Sequence, residues 1–268
     1  MRQPALPLWR HVVFVDWHGV LSRSPFWASI VTDSRHPLHR PLRTKLGRVV
    51  GNHQIMSDWM TARRATAEVV EGMGVEGGNR YGADYLCRQL EKDCRSMRVN
   101  VDLLRALQVA RERAFVVVAT DNVDTFAEAF RRLAARRPDR TPALRPALSA
   151  SSQLQASPLP APDRDRDDTL TAWATACDDL VCSSDVGTLK AVDPAAFFGP
   201  YLAACGLGFA DALLIDDRSD NCAAFRSAGG TALRWTMHTD PIAAVTATLT
   251  SWLDGDALPG PARLAPAG

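Results

Sequence analysis

Five short apolar runs, separated by helix-like segments, constrain the fold of this chain most strongly. They are rich in Val, Ile and Leu and lie at His11 to Val15, Phe115 to Ala119, Leu180 to Ser183, Ala212 to Ile215 and Thr231 to Trp235. Short continuous apolar runs are typical of strands that are buried on both faces. Their alternation with helices predicts an α/β fold, in which a Rossmann-like parallel sheet of about five strands is flanked by helices.

Polar residues follow four of these runs directly. They are Asp16, Thr120, Ser183 with Ser184, and Asp216 with Asp217. The carboxyl ends of parallel strands meet at one edge of a sheet, and open α/β sheets bind their ligands there. The sequence therefore predicts a functional site at this edge.

Composition limits the partners of the chain. Its 268 residues include 31 basic and 30 acidic residues, a net charge of +1, so no overall field favours nucleic acid or a membrane surface. It contains no run of 18 apolar residues, and we expect a cytoplasmic protein without nucleic-acid or membrane partners, a monomer or a homodimer. The six cysteines include no Cys-x-x-Cys pair, so most are expected to be reduced and buried.

Two segments interrupt the alternation of strands and helices. Residues 24–101 contain no strand-like run but two stretches with helical spacing, which predicts a helical cap inserted after the first strand. Residues 136–168 are rich in Pro, Arg, Ser and Asp, and this composition predicts a flexible insertion. Residues 1–23 and 102–268 would then form the α/β core.

The predicted cap offers candidate substrate contacts. The segment from Ser34 to Arg48 is basic and has no acidic residue, so it could meet an anionic substrate or simply form a solvated surface. Aromatic and polar residues of the cap could line the cleft, although tryptophans are more often core residues; these are Trp27, Trp59, Asn79, Arg80 and Tyr81.

Four stretches at the strand ends resemble the motifs of the haloacid dehalogenase (HAD) superfamily. They are VVFVDWHGVL, VVVATDN, SSDVGTLKAVDPAAF and ALLIDDRSDNCAAFRSAGG, in the order that the family uses. The resemblance covers the chain from His11 to Trp235. It implies a HAD-type core, a hydrolase activity and a site assembled from these four strand ends.

Asp16 is the candidate nucleophile. A carboxylate that ends a buried strand is suited to attack phosphorus and form an aspartyl-phosphate, although such a residue can also serve a turn. Asp216 and Asp217 supply hard oxygen ligands of the kind Mg²⁺ prefers, or could cap the following helix. The resemblance adds the backbone carbonyl of His18 as a further metal ligand.

Thr120 and Lys190 are the candidate phosphate-binding and catalytic side chains, together with the neighbouring substrate-binding candidates Asp121 and Asn122. A hydroxyl can donate to a phosphoryl oxygen, and an ammonium can neutralise its charge. The alternatives are a strand-end hydroxyl bonded to backbone for Thr120 and a solvated amine for Lys190. The sequence after Lys190 is one residue longer than the family's usual Lys-Pro-Asp-Pro.

Three residues are predicted to support this site from behind the reacting groups. Gly19 follows the nucleophile motif, and Asp185 and Asn221 are placed to orient Lys190 and the metal ligands. Asp185 and Asn221 could equally be ordinary residues at the start of a helix.

His18 departs from the family pattern, which has a second Asp at this position as acid and base. Imidazole can perform both tasks, but His18 could also pack against the cap, contact substrate, or mark a site with lost turnover. The resulting prediction is a Mg²⁺-dependent phosphatase that acts on a small phosphorylated metabolite. The alternatives are a hydrolase of another bond, dehalogenase-like or phosphonate-cleaving, and a catalytically weak binding protein on the same fold.

Overall fold

A five-stranded parallel sheet lies at the centre of the computed structural model, which describes residues 10–75, 80–134 and 176–255. The strand order is β3-β2-β1-β4-β5. The strands are β1 (Val12–Val15), β2 (Phe115–Thr120), β3 (Asp179–Cys182), β4 (Ala212–Asp216) and β5 (Thr231–Arg234). The predicted α/β fold is confirmed, and every predicted strand boundary lies within one residue of the observed one.

The sheet is covered on both faces, as its continuous apolar strands require. Helices α6 (Val101–Ala110), α7 (Asp124–Ala134) and α11 (Ile242–Asp254) contribute to the core that includes Val13 and Val15. Alternate strand residues point to the opposite face, where Phe14 packs with α9 (Pro194–Ala204) and α10 (Ser219–Ser227).

The pairing of residues between neighbouring strands places their polar carboxyl ends side by side. Val15 of the central strand β1 pairs with Val118 of β2 and with Ile215 of β4. The next residue, Asp16, donates its backbone N–H to the carbonyl of Ile215 at 2.9 Å. The ends of β1, β2 and β4 therefore meet at one edge of the sheet.

Five helices precede α6 in the chain between β1 and β2. They are α1 (Ala28–Val31), α2 (His39–Val50), α3 (His53–Met60), α4 (Thr66–Met73) and α5 (Ala83–Arg95), called the inserted helices below. Trp27 and Trp59 are fully buried among them, so both are core residues, and the indole N–H of Trp27 donates to the carbonyl of Leu86 at 2.7 Å. Asn79 and the predicted insertion at 136–168 lie outside the described residues.

Short segments complete the described chain. Helix α8 (Ser183–Val186) follows β3, and a 3₁₀ turn at Phe209–Asp211 leads into β4. Asp193 caps α9 by accepting from the N–H of Ala196 at 2.9 Å, ahead of Pro194 in the first turn. Within the described ranges, no helix is both long enough and apolar enough to cross a membrane.

Candidate active site

Three carboxylates meet at the carboxyl edge of the sheet. Asp16 follows β1, Asp216 ends β4, and Asp217 comes next in the chain; one oxygen from each lies within 4.8 Å of the others. Asp16 and Asp216 are buried and Asp217 is half-buried. A carboxylate removed from water needs a compensating cation, so this grouping calls for positive charge.

Lys190 supplies part of that charge. Its Nζ lies 2.8 Å from Oδ1 of Asp16 and 2.5 Å from Oδ2 of Asp216, and it donates to the carbonyl of Ala119 at 3.2 Å. Only 1% of Lys190 is exposed. Burial alone would lower the pKa of Lys190, but the carboxylates of Asp16 and Asp216 outweigh it and raise the pKa, so the amine stays charged.

The three carboxylates still carry excess negative charge. Burial raises the pKa of Asp16, and the ammonium of Lys190 opposes that shift. Burial also raises the pKa of Asp216, where the neighbouring charge of Asp16 adds to the effect, and it raises the pKa of Asp217 beside Asp216. When all three are ionised, one ammonium leaves two negative charges uncompensated. Clustered hard oxygens with that charge fit a divalent cation such as Mg²⁺.

Asp216 is held in place by neutral donors. Asn221, 2% exposed, donates its Nδ2 to both oxygens of Asp216 at 3.1 Å, and the backbone N–H of Arg218 donates to Oδ1 at 2.9 Å. The structure thus places Asn221 where the sequence predicts a supporting residue. The contact of Arg218 could not be read from the sequence, since it uses a backbone group.

Gly19 lies directly against Asp217. Its φ is +85°, and a Cβ at this position would lie 2.1 Å from Oδ2 of Asp217. Any side chain here would displace the carboxylate and would also strain the left-handed backbone. A glycine is therefore required for the observed position of Asp217.

Thr120 presents an unpartnered hydroxyl at the end of β2. The residue is 1% exposed, and its Oγ1 has no hydrogen-bond partner within the described part of the chain. A buried hydroxyl normally finds a partner because leaving it unpaired is costly. Thr120 is thus free to bind an acceptor that enters the site.

Asp121 and Asp185 differ in their relation to Lys190. Oδ1 of Asp121 accepts from the backbone N–H of Lys190 at 3.0 Å, a contact that fixes the loop bearing the lysine. Asp185 forms an ion pair with Arg131 of α7, and among the described residues it makes no hydrogen bond or ion pair with Lys190. The support predicted from Asp185 therefore comes from Asp121, across 69 residues of sequence.

His18 is bound on both ring nitrogens. Its Nε2 lies 3.3 Å from the carbonyl of Ser24, and its Nδ1 lies 3.4 Å from Nδ2 of Asn122. The ring of Phe26 packs edge-on against it, with centroids 5.3 Å apart. Burial lowers the pKa of His18, the Ser24 carbonyl opposes this shift, and the charge of Lys190 adds to it.

No protein-family model matches the sequence, and no curated protein sequence matches it. Among solved structures, a predicted HAD-like family hydrolase from Porphyromonas gingivalis matches 89% of this chain and 97% of its own, at 15% identity and a TM-score of 0.54. The chain has the HAD-like fold. The five-stranded parallel sheet flanked by helices agrees with this assignment.

Two further HAD structures match over similar lengths. A HAD phosphatase from Thermococcus onnurineus matches 86% of this chain and 88% of its own, at 14% identity and a TM-score of 0.53. A mutant HAD family enzyme from Bacteroides thetaiotaomicron, in complex with magnesium and inorganic phosphate, matches 86% and 96%, at 13% identity and a TM-score of 0.51. Likeness at these identities shows a shared HAD fold, and activity has to be inferred from the site itself.

Proposed function

We propose that this protein is a Mg²⁺-dependent phosphatase that hydrolyses a small phosphorylated metabolite through an aspartyl-phosphate on Asp16. The observation that carries the proposal is the contact of Lys190 with both Asp16 and Asp216, beside Asp217, at the carboxyl edge of a HAD-like sheet. The HAD phosphatase and the complex with magnesium and phosphate among the structural neighbours support it.

Asp16 acts as the nucleophile in this proposal. One of its oxygens forms a bond to phosphorus, the bond from phosphorus to the leaving oxygen breaks, and that oxygen takes a proton from solvent. Water then attacks the phosphorus, the bond from phosphorus to Asp16 breaks, and hydrogen phosphate leaves while one proton of the water returns to solvent and the carboxylate is restored. The contact of Lys190 at 2.8 Å orients Asp16, and its charge favours the ionised carboxylate against the effect of burial.

Thr120 and Lys190 receive the phosphoryl group. The hydroxyl of Thr120 has no partner within the described ranges, so it can donate to a phosphoryl oxygen without breaking another hydrogen bond. Lys190 adds a fixed positive charge, and the buried setting strengthens its attraction for the transferred group. Asp121 follows Thr120 at the same strand end, where we place a further contact to substrate. The side chain of Asn122, the other substrate-binding candidate, is bonded to Val123 and His18.

Mg²⁺ would be held by the carboxylates of Asp16, Asp216 and Asp217 and by the backbone carbonyl of His18. The bound ion would supply charge neutralisation for the phosphoryl oxygens. Asn221 orients Asp216 for this task, and Gly19 leaves room for Asp217.

The hydrogen bonds of His18 favour a second candidate function. In this alternative the protein has a HAD fold, binds a phosphorylated ligand and turns it over slowly. Both ring nitrogens are occupied by Ser24 and Asn122, so the ring is not poised to transfer a proton in the observed arrangement. In that case the phosphate site would remain, but only ligands whose leaving group departs unprotonated would react at an appreciable rate.

A phosphate-release assay over a panel of phosphorylated metabolites, with Mg²⁺ or with excess chelator, tests the proposal. We expect release from at least one metabolite and its loss in chelator. Slow release from an aryl phosphate alone would favour the second candidate. Phosphate release that persists in chelator would contradict Mg²⁺ dependence. No release from any metabolite would favour a hydrolase of another bond, for which organohalide and phosphonate substrates are the next panel.

A further inference from the structure

Asn122 contacts His18 across 104 residues of sequence, at a position where its own side chain is fully buried. Its backbone N–H donates to Oγ of Ser183 at 2.9 Å, and Ser183 in turn donates to the carbonyl of Met60 at 2.6 Å. The main chain of Asn122 is thus anchored on Ser183 at the start of α8 and, through that hydroxyl, on Met60 of the inserted helices. A buried and anchored amide has little freedom to turn.

Backbone groups with fixed roles decide which way the amide of Asn122 points. The backbone N–H of Val123 lies 2.9 Å from one terminal atom of Asn122 and can only donate, so that atom must be the oxygen Oδ1. The other terminal atom, which faces His18, is then Nδ2 and can only donate. Nδ1 of His18 must accept this hydrogen bond with its lone pair.

The other end of the His18 ring meets a group that can only accept. The backbone carbonyl of Ser24 lies 3.3 Å from Nε2, so Nε2 must carry a proton to bond with it. The donors and acceptors now run in one direction, from the N–H of Val123 through Asn122 and His18 to Ser24. Only one tautomer of the ring satisfies both ends of this series.

We propose that Asn122 is a positioning residue that fixes the tautomer and orientation of His18, with the ring proton on Nε2 and the lone pair of Nδ1 occupied. The edge-on contact with Phe26 holds the remaining face of the ring. Nε2–H is therefore the polar group of the His18 ring that can meet a ligand without loss of the bond to Asn122.

The catalytic consequence rests on the proposed function. An oxygen of the phosphorylated substrate that takes the place of the Ser24 carbonyl meets a hydrogen-bond donor on His18. His18 then binds the substrate oxygen in a defined direction, and Asn122 sets that direction although it lies on the far side of the ring.

Long-range ¹H–¹⁵N NMR of the histidine rings tests the tautomer directly, because it reports which ring nitrogen carries the proton. The chain has six histidines, and the spectrum of His18→Gln identifies the His18 signals by their absence. The decisive variant is Asn122→Asp, which preserves shape and still accepts from Val123 but presents an acceptor to Nδ1. The matched control is Asn52→Asp, an exposed cap of α3 that accepts from the N–H of Ile55 at 3.1 Å.

In the wild-type protein we expect Nδ1 of His18 to be unprotonated and Nε2 to be protonated. Asn122→Asp should place a proton on Nδ1, and Asn52→Asp should leave the His18 signals unchanged. A protonated Nδ1 in the wild type would overturn the proposal even if Asn122→Asp failed to fold. Unchanged His18 signals in a folded Asn122→Asp variant would overturn it as well.

This experiment needs no turnover, so it separates the tautomer from the phosphatase proposal. A chain that releases no phosphate can still show the expected signals. Conversely, the protein could be an active phosphatase while its His18 signals stay the same in Asn122→Asp. That result would disprove only the positioning role of Asn122.

Discussion

At the residue scale, the chemistry of the site depends on one buried cation, the ammonium of Lys190. Lys190 binds Asp16, Asp216 and the carbonyl of Ala119, so two buried carboxylates share a single ammonium. The sequence predicts Lys190 as a site residue despite the extra residue that follows it. The contact of Asp121 with the backbone of Lys190 could not be predicted, since loop geometry and not a motif creates it.

Replacing Lys190 by Met should destabilise the protein. Two adjacent carboxylates would remain buried without a cation, and breaking such a pair costs about 3–5 kcal/mol. Unfolding in urea without Mg²⁺ measures this loss, and added Mg²⁺ should restore part of it. Lys92→Met is the control, because Lys92 is exposed on α5 and its replacement should change the free energy of unfolding by less than about 0.5 kcal/mol. Equal effects of the two variants would contradict the role given to Lys190.

Mg²⁺ should raise the melting temperature of the protein through Asp217. A ligand that binds only the folded state adds about 2.7 kcal/mol of stability at 100 times its Kd. Asp217→Asn should reduce this gain, and it leaves both carboxylates that contact Lys190 in place. Asp220→Asn, at an exposed residue paired with Arg218, should keep the full gain. Thermal unfolding with and without Mg²⁺ measures the gain in melting temperature for the wild type and for both variants. An equal gain in all three proteins would exclude Asp217 as a ligand.

At the scale of elements, the inserted helices are bonded to the core beside the site. The hydroxyl of Thr66 at the start of α4 donates to Asp124 of α7, and it accepts from the indole N–H of Trp59 at 2.9 Å. The strands follow from the apolar runs, so the sequence predicts them well. The contact between Thr66 and Asp124 joins residues 58 apart with no motif at either end, and the sequence could not predict it.

Thr66→Val should loosen this junction. The substitution keeps the shape of the side chain but leaves the buried N–H of Trp59 unpaired and removes the donor to Asp124, which together should cost about 1–3 kcal/mol. Chemical unfolding measures the loss. Thr248→Val on α11 is the matched control, because its hydroxyl bonds only to the preceding helical turn in an exposed setting. A loss below about 0.5 kcal/mol for Thr66→Val would show that the junction contributes nothing measurable.

At the scale of the whole molecule, two apolar cores lie on opposite faces of the sheet, and four of the six cysteines lie in or against them. None of the six forms a disulfide in the described part of the chain, four are buried and two are half-buried, which agrees with the prediction from the sequence. Burial raises the pKa of Cys182 to about 12 and that of Cys222 to about 12. Their thiolate forms are therefore scarce near neutral pH.

The folded protein should react slowly with a thiol-specific reagent. Thiolate is the reactive form, and both burial and the raised pKa values suppress it in the folded chain. At about pH 8 we expect the buried thiols to be protected and all six to react quickly in concentrated guanidinium chloride. Raising the pH toward the pKa of these thiols should speed the reaction of the folded protein. Fast labelling of all six thiols without denaturant would contradict the packing described here.

The most direct test of the central claim is the turnover of Asp16→Asn on a substrate that the wild type hydrolyses in Mg²⁺. The amide keeps the volume of the carboxylate but cannot form the aspartyl-phosphate, so kcat should fall below about 1% of the wild-type value. Circular dichroism should show an unchanged fold, and Asp102→Asn, an exposed site on α6, should retain full activity. A folded Asp16→Asn protein that keeps more than a few per cent of wild-type turnover would contradict the assignment of Asp16 as the nucleophile.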